Sequence, residues 1–289
     1  MNILIATNSG YLHYTKTMLF SLAYNNSDYL DIYLLYSSLS EKEIDDLSLF
    51  VLTKCHGKLH AIHVDSSRFA GMVKVGHISV ETYFRLLVSE ILPIKVKRIL
   101  WLDSDMIVKD SVKSFYNENI DDKLAAVCKD LLVRDFHYIK NIIDFSYKDP
   151  YFNAGVILFN VERMRSNFPV NLVSNFLKRY YDNLPMMDQD ALNVLFHEQV
   201  KFCDPYRFNH LMLTVEKVDK ERKRLLESAA IIHYVGKDKP SYYKYINSSH
   251  KYYWKYEKMQ GRYWAWVLFW VKHYPYIWVR KVYESIKGR

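Results

Sequence analysis

The chain has 289 residues with 40 Lys+Arg against 32 Asp+Glu, a formal charge of +8, and half of it is hydrophobic. Its 25 Tyr, 15 Phe and 6 Trp supply enough apolar area to exclude disorder as the main state, and 8 Gly and 7 Pro exclude collagen-like and low-complexity chains. The charge is uneven: Lys237–Arg289 carries 12 Lys+Arg and 3 Asp+Glu, net +9, with five of the six Trp, leaving −1 for positions 1–236. A near-neutral body and a basic, aromatic tail need separate explanations. Cys55, Cys128 and Cys203 are odd in number and lack metal spacing, so they read as buried thiols of a reduced, cytoplasmic chain. The start, MNILIATNSG, has no basic region followed by an apolar stretch and reads as a first strand rather than a signal peptide.

In chain order, Asn2–Thr7 is a short apolar strand stopped by Asn8-Ser9-Gly10, and a helical pattern follows to about Asn25. Asp31–Tyr36 is a second strand. Ser40 and Glu43 make an S-x-x-E capping box for a helix to about Thr53, and Lys58–Val64 alternates like a third strand. Ser79–Leu92 reads as a helix ended by Pro93. Arg98–Leu102 is apolar on both faces, as in a central strand of a covered sheet, and ends in Asp103-Ser104-Asp105. Leu124–Val127 and Val156–Phe159 read as strands, Pro169–Tyr181 and Asp188–Phe196 as helices, and Ala230–Val235 as a last strand. This alternation predicts an α/β fold with a mixed, mostly parallel sheet, whose ligands sit beyond the strand C-ends at a topological switch point.

Two aspartates two apart at the end of a buried strand repel each other unless a divalent cation sits between them; a solvated turn is the plain alternative. In Tyr151-Phe152-Asn153-Ala154-Gly155 the small residues let backbone approach a ligand. Asp188-Gln189-Asp190 opens an apolar helix, where capping alone would explain Asp188. His233, with Gly236 and Lys239 at three-residue steps, fits a metal-plus-phosphate clamp, against a structural His as the bland reading.

Six segments in this order, ATNSGY (6–11), HISVETYFRL (77–86), ILWLDSDMIV (99–108), YFNAGVILFN (151–160), DQDALN (188–193) and HYVGKDKP (233–240), resemble the retaining glycosyltransferases of family 8, which include bacterial lipopolysaccharide galactosyl- and glucosyltransferases and glycogenin. The resemblance implies a GT-A, Rossmann-like nucleotide-sugar fold over about 1–245 and a site for Mn2+ (or Mg2+) and a UDP-sugar, UDP-galactose or UDP-glucose. It places Asp103, Asp105 and His233 as metal ligands, Gly236 and Lys239 on the diphosphate, Asn8 and Tyr11 at uridine and Ser104 beside the ribose, with Ala6 and Thr7 also among the donor-binding residues. Arg85, Asp130, Asn153, Ala154, Asp188 and Gln189 match sugar-side positions, with Asp130, Asp188 and Gln189 as the catalytic candidates. Many bacterial members carry Asp where this chain has Asn8; the Thr7-Asn8 pair resembles glycogenin instead.

The tail, 246–289, holds the nine-residue apolar run Tyr263–Val271, too short to span a bilayer, which takes about 20 residues. Trp and Tyr beside Lys and Arg settle at headgroup level, so the tail is expected to associate with the inner face of the membrane, and the acceptor to be a lipid-linked or cell-surface glycan. Packing of the tail on the body is the structural alternative; nucleic-acid binding is not expected, since no RNA-binding motif accompanies it. Two other function classes stand beside the transferase: a D-x-D phosphatase or phosphotransferase of haloacid dehalogenase type, and a catalytically silent membrane scaffold. Neither accounts for His233 and Lys239.

Overall fold

The structure, a computed structural model, describes residues 1–70, 72, 79–133, 138–139, 142–143, 150–168, 171–212, 220–236, 239–240 and 249–287. The strands are β1 (Asn2–Ala6), β2 (Leu30–Tyr36), β3 (Gly57–His63), β4 (Arg98–Leu102), β5 (Met106–Val108), β6 (Ala125–Lys129), β7 (Phe152–Asn160), β8 (Val200–Cys203), β9 (His210–Leu211) and β10 (Ile231–His233). The helices are α1 (Leu12–Asn25), α2 (Glu41–Lys54), α3 (Val88–Ile91), α4 (Lys113–Tyr116), α5 (Val161–Asn167), α6 (Leu172–Tyr180), α7 (Asp188–Leu195), α8 (Pro205–Phe208), α9 (Lys220–Ser228), α10 (His250–Met259) and α11 (Tyr263–Lys287).

Seven strands form one sheet in the order β3-β2-β1-β4-β7-β6-β8, parallel throughout except for β7, which runs against both of its neighbours. Strands buried on both sides need apolar cover on both sides. Alternation along the strands supplies it. Ile3, Ile5, Ile32 and Leu34 face Met18, Leu19 and Leu22 of α1 and Leu47 and Val51 of α2. Leu4, Tyr33, Ile99, Trp101, Ile157 and Phe159 face the opposite layer, with Phe84, Leu87 and Phe196. At the start of α2 the Ser40 hydroxyl accepts from Glu43 N–H at 3.4 Å while Ser40 N–H donates to the Glu43 carboxylate at 2.9 Å, the reciprocal box that the S-x-x-E spacing predicts.

Ser79–Leu92 departs from its expected helix. Val80–Leu87 winds as a 3₁₀ helix, and only the turn α3 is α-helical. Six of those eight residues are buried, the charged Glu81 and Arg85 among them, and Arg85 Nε donates back to the Thr82 carbonyl at 2.9 Å. The expected last strand is shorter and leaves the main sheet. β10 pairs antiparallel with β5 and parallel with β9, setting His233 opposite Met106. Strands β5, β8 and β9, of two to four residues, carry no periodicity of their own in the sequence.

Cys55 and Cys128 are buried, Cys203 half-buried, and all three are free; burial pushes the Cys55 thiol up to about 12. The tail divides in two. Helix α10 is seated on the body, where Tyr253, Trp254 and Tyr256 are buried with Tyr14, Ile107, Leu226, Ile232 and Tyr234. Helix α11 meets α10 through Phe269, whose ring centroid lies 4.8 Å from that of Trp254, and leaves Trp264, Leu268, Val271, Trp278 and Val279 exposed. Among the described residues no helix is long and apolar enough to cross a membrane.

Candidate active site

Neighbours β1 and β4 mark the reversal of strand order, since β2 and β3 extend the sheet on one side and β7 on the other. A crevice opens beyond their C-ends. The loops that leave these strands are tied together: Ser104 Oγ donates to the Ala6 carbonyl at 3.3 Å, and Thr15 Oγ1 lies 2.8 Å from Thr7 Oγ1 and 2.9 Å from Ser104 Oγ. Every site residue singled out from the sequence lines this crevice, a cavity of about 530 Å³, within the range that small-molecule sites occupy.

At its centre one oxygen each of Asp103 and Asp105 and a ring nitrogen of His233 all lie within 4.8 Å of one another. His233 Nε2 is 3.4 Å from Asp105 Oδ1 and 3.8 Å from Asp103 Oδ2. The β10–β5 register makes this meeting, because it continues as Tyr234 N–H to the Asp105 carbonyl at 2.9 Å. The Lys239 ammonium pairs with Asp105 Oδ2 and donates to the Tyr234 carbonyl at 2.9 Å, reaching round the turn made by Gly236 at φ +61°. Burial alone would raise the Asp105 carboxyl, but the Lys239 ammonium and His233 outweigh it and hold the group well below the usual carboxylate range. Lys239 is raised in return, its charge partners overcoming burial. Two carboxylates and an imidazole at this spacing fit a divalent ion that accepts oxygen and nitrogen donors.

The near wall is a polar network. Arg85 joins the two ends of the crevice: its guanidinium lies 3.0 Å from Asp103 Oδ1 and 3.1 Å from Asp188 Oδ2, and 4.3 Å over the Trp101 ring. Gln189 Oε1 accepts from Ala154 N–H at 3.0 Å and its Nε2 donates to Asp130 Oδ2 at 3.1 Å, while Asn153 Nδ2 reaches the same Asp130 oxygen at 3.1 Å. Asp130 is fixed by the amides of Leu132 and Val133 at 2.8 and 3.0 Å. Burial raises the Asp188 carboxyl to about 6, Arg85 only partly opposing it. Met187, at φ +52°, turns the chain into α7 in a conformation that costs of order 1–3 kcal/mol, and Asp190 restrains that turn by accepting from Met186 N–H at 2.7 Å and the Tyr151 hydroxyl at 2.6 Å. At the far end Asn8 Oδ1 accepts from Tyr11 N–H at 3.3 Å, and Nδ2 is 3.5 Å from Glu81, itself held by Ser37 at 2.9 Å.

A family model described as Glycosyl transferase family 8 matches residues 2–241. The chain belongs to that family. This family 8 chain is 25% identical over 244 residues to a putative glycosyltransferase of Haemophilus influenzae, covering 83% of the chain and 72% of that protein. It is 25% identical over 260 residues to the lipopolysaccharide 1,2-glucosyltransferase of Escherichia coli K12, covering 88% and 76%. Across four curated relatives the matched region takes up between 56% and 76% of their length. The structure superposes on that of the galactosyltransferase LgtC, solved with donor and acceptor sugar analogs, with a TM-score of 0.76 at 24% identity, over 90% of this chain and 96% of the other. That likeness gives the family 8 chain the GT-A fold, as the sequence resemblance implies.

Several residues of the crevice were not legible in the sequence. Trp101 Nε1 donates to Asp103 Oδ1 at 2.8 Å, and Thr82 Oγ1 to Asp188 Oδ1 at 3.2 Å. Asn209 sits fully buried behind His233. Trp101 and Thr82 lie within the matching segments 99–108 and 77–86, whereas Asn209, in the turn between α8 and β9, stands in no recognisable pattern. Gly155 lines the crevice, and a Cβ there would also meet His233 Cε1 at 2.3 Å, so the glycine makes room for the imidazole as well. His77, Ile78, Lys237 and Asp238 of the matching segments, the Pro169-Val170 start of a predicted helix, and 246–248 of the tail lie outside the described residues.

Proposed function

We propose that this chain is a retaining hexosyltransferase that moves galactose or glucose from a UDP-sugar to a saccharide acceptor in α-linkage, with Mn2+ (Mg2+ as substitute) held by Asp103, Asp105 and His233. The observation that carries this reading is the convergence of three pieces in one crevice: an acid–acid–imidazole cluster, Lys239 on the turn after it, and an amide–carboxylate wall opposite. In the reaction the bond from the anomeric carbon to the diphosphate oxygen breaks, a bond to the acceptor oxygen forms, and the acceptor proton passes to the leaving diphosphate. Bound Mn2+ would stabilise the negative charge that builds on the leaving group. Lys239 adds a fixed positive charge on the same side, already in place before the bond breaks. Asp188, Gln189 and Asp130 orient the sugar hydroxyls and face the electron-poor carbon. Asn153 and Ala154 carry the edge of the sugar site, and Asn8 and Tyr11, with Ala6, Thr7 and Ser104, carry the nucleoside.

The acceptor in this reading is a lipid-linked or cell-surface glycan such as a lipopolysaccharide, and the enzyme works at the cytoplasmic face of the membrane. Helix α11 supports it, with exposed Trp264, Leu268, Val271, Trp278 and Val279 alongside Arg262 and Lys272; each basic residue near an anionic leaflet adds about 1 kcal/mol. The anchor accordingly lies in α11, with α10 seated on the catalytic body. A panel of UDP-sugars assayed for Mn2+-dependent UDP release, with the product identified by mass spectrometry, tests the reading. UDP release with one hexose donor, lost in Asp105→Ala, is expected. No release with any donor, together with unchanged nucleotide binding in Asp105→Ala, overturns it. The acceptor attacks on the face from which the diphosphate departs; a glycosyl adduct trapped on Asp130, Asp188 or Gln189 would replace this single exchange by a two-step mechanism.

A further inference from the structure

His233 is held from behind as well as from the front. Its Nδ1 lies 3.0 Å from Asn209 Oδ1, Asn209 Nδ2 donates to Asn153 Oδ1 at 2.9 Å, and that oxygen also accepts from Gly155 N–H at 2.9 Å. Asn209, Asn153 and His233 are all buried. Amide orientations are usually open to exchange of N and O, but a backbone N–H can only donate. Gly155 N–H therefore fixes Oδ1 as the Asn153 atom that faces it. Asn209 must then present Nδ2 to that oxygen, which leaves Oδ1 for the imidazole. An amide oxygen can only accept, so in the neutral ring the proton sits on Nδ1 and the lone pair on Nε2, which points at Asp103 and Asp105.

We propose that Asn209 is the positioning residue that sets His233 in the Nδ1–H tautomer, through a relay of buried amides anchored on the Gly155 backbone. The same Asn153 donates through Nδ2 to Asp130 Oδ2 at 3.1 Å and lies 3.1 Å from Gln189 Oε1, so one relay joins the imidazole to the sugar-side wall. The consequence for metal binding rests on the function proposed above; the tautomer does not. Partners of this kind behind a metal-binding imidazole are worth 10–100-fold in metal affinity.

The test uses the full-length, metal-free protein labelled with 15N-histidine, at a pH where the ring is neutral, with His233 assigned by loss of its signal in His233→Gln. Two-bond 1H–15N spectra are expected to show the Nδ1–H form alone. Asn209→Leu, which keeps the branching at Cγ and loses the acceptor, is expected to mix the tautomers and weaken Mn2+ binding 10–100-fold by titration; Asn209→Asp keeps an acceptor and is expected to keep the tautomer. An Nε2–H ring in the wild type overturns the proposal. So does Asn209→Leu with unchanged tautomer and Mn2+ affinity. Should Asn209→Leu fail to fold, the wild-type and Asn209→Asp spectra decide. Wild-type protein with the Nδ1–H ring and no Mn2+ binding supports the relay and overturns the metal site.

Discussion

Replacing Gly155 by alanine is expected to weaken metal binding although it replaces none of the three ligands. The added Cβ would stand 2.3 Å from His233 Cε1, 2.9 Å from its Nδ1 and 2.9 Å from Met106 Cε. Ordinary contact begins near 3.4 Å, so the ring has to move by about 1 Å. It cannot simply swing away, because β10 is held opposite Met106 and Nδ1 is held by Asn209. Metal–ligand distances tolerate about 0.2 Å. A shift of that size takes Nε2 out of range of an ion seated between Asp103 and Asp105. We expect Mn2+ affinity to fall 10–100-fold, and overpacking to cost about 1–3 kcal/mol of stability. Isothermal titration with Mn2+ and urea denaturation measure the two effects. Wild-type affinity together with wild-type stability would refute the reasoning, because it would mean that the imidazole does not occupy the space over Gly155.

Lys239→Met should separate the metal from the donor: removing a cation beside Asp105 is expected to tighten Mn2+ binding by about tenfold in donor-free protein and to weaken UDP binding by at least about tenfold, and parallel changes in the two titrations would contradict the assigned role. Asp188 gives a pH signature. Its folded carboxyl, lifted by burial to about 6 from 3.8, binds a proton more tightly than in the unfolded chain, so its stabilising contribution is complete below about pH 3.8 and is lost as pH rises through 6. At about 1.4 kcal/mol per tenfold, metal-free wild type should lose about 2 kcal/mol relative to Asp188→Asn between pH 4 and 6 in urea melts, and a flat or opposite difference refutes the burial argument. Truncation distinguishes the two tail helices: a chain ending at residue 262 should stay folded, release UDP from the donor and no longer float with anionic vesicles, whereas a chain ending at 245 loses the buried Tyr253, Trp254 and Tyr256 and should melt well below the wild type.

Local signals were strong where physics is local. The apolar run Arg98–Leu102, the box at Ser40 and Glu43, and the turn after β1 are written in neighbouring residues, and the strand C-ends already pointed to Asn8, Asp103 and Asp105. His233 and Lys239 were legible through their spacing and through the family resemblance. Ser79–Leu92 carries the apolar spacing of a helix, which α and 3₁₀ pitch share over so short a run, and Val80–Leu87 winds as 3₁₀. Short strands β5 and β9 were weak in the sequence because two or three residues hold no periodicity, and they form only by pairing with β10.

The sequence by itself determined the chemistry at hand: two carboxylates behind a buried strand, an imidazole and a lysine on a later turn, and a neutral body with a basic, aromatic end. Tertiary structure alone decided how those groups meet. Register between β5 and β10 brings His233 to Asp105 across 128 residues of chain, the missing Cβ of Gly155 makes room for its ring, and Asn209 meets its back face. Charge could be counted along the chain, yet only packing showed that it divides within the tail, with α10 serving the core and α11 facing outward. Contacts between distant residues leave no periodic trace, because each is fixed by the sum of many packing choices and not by the residues that make it.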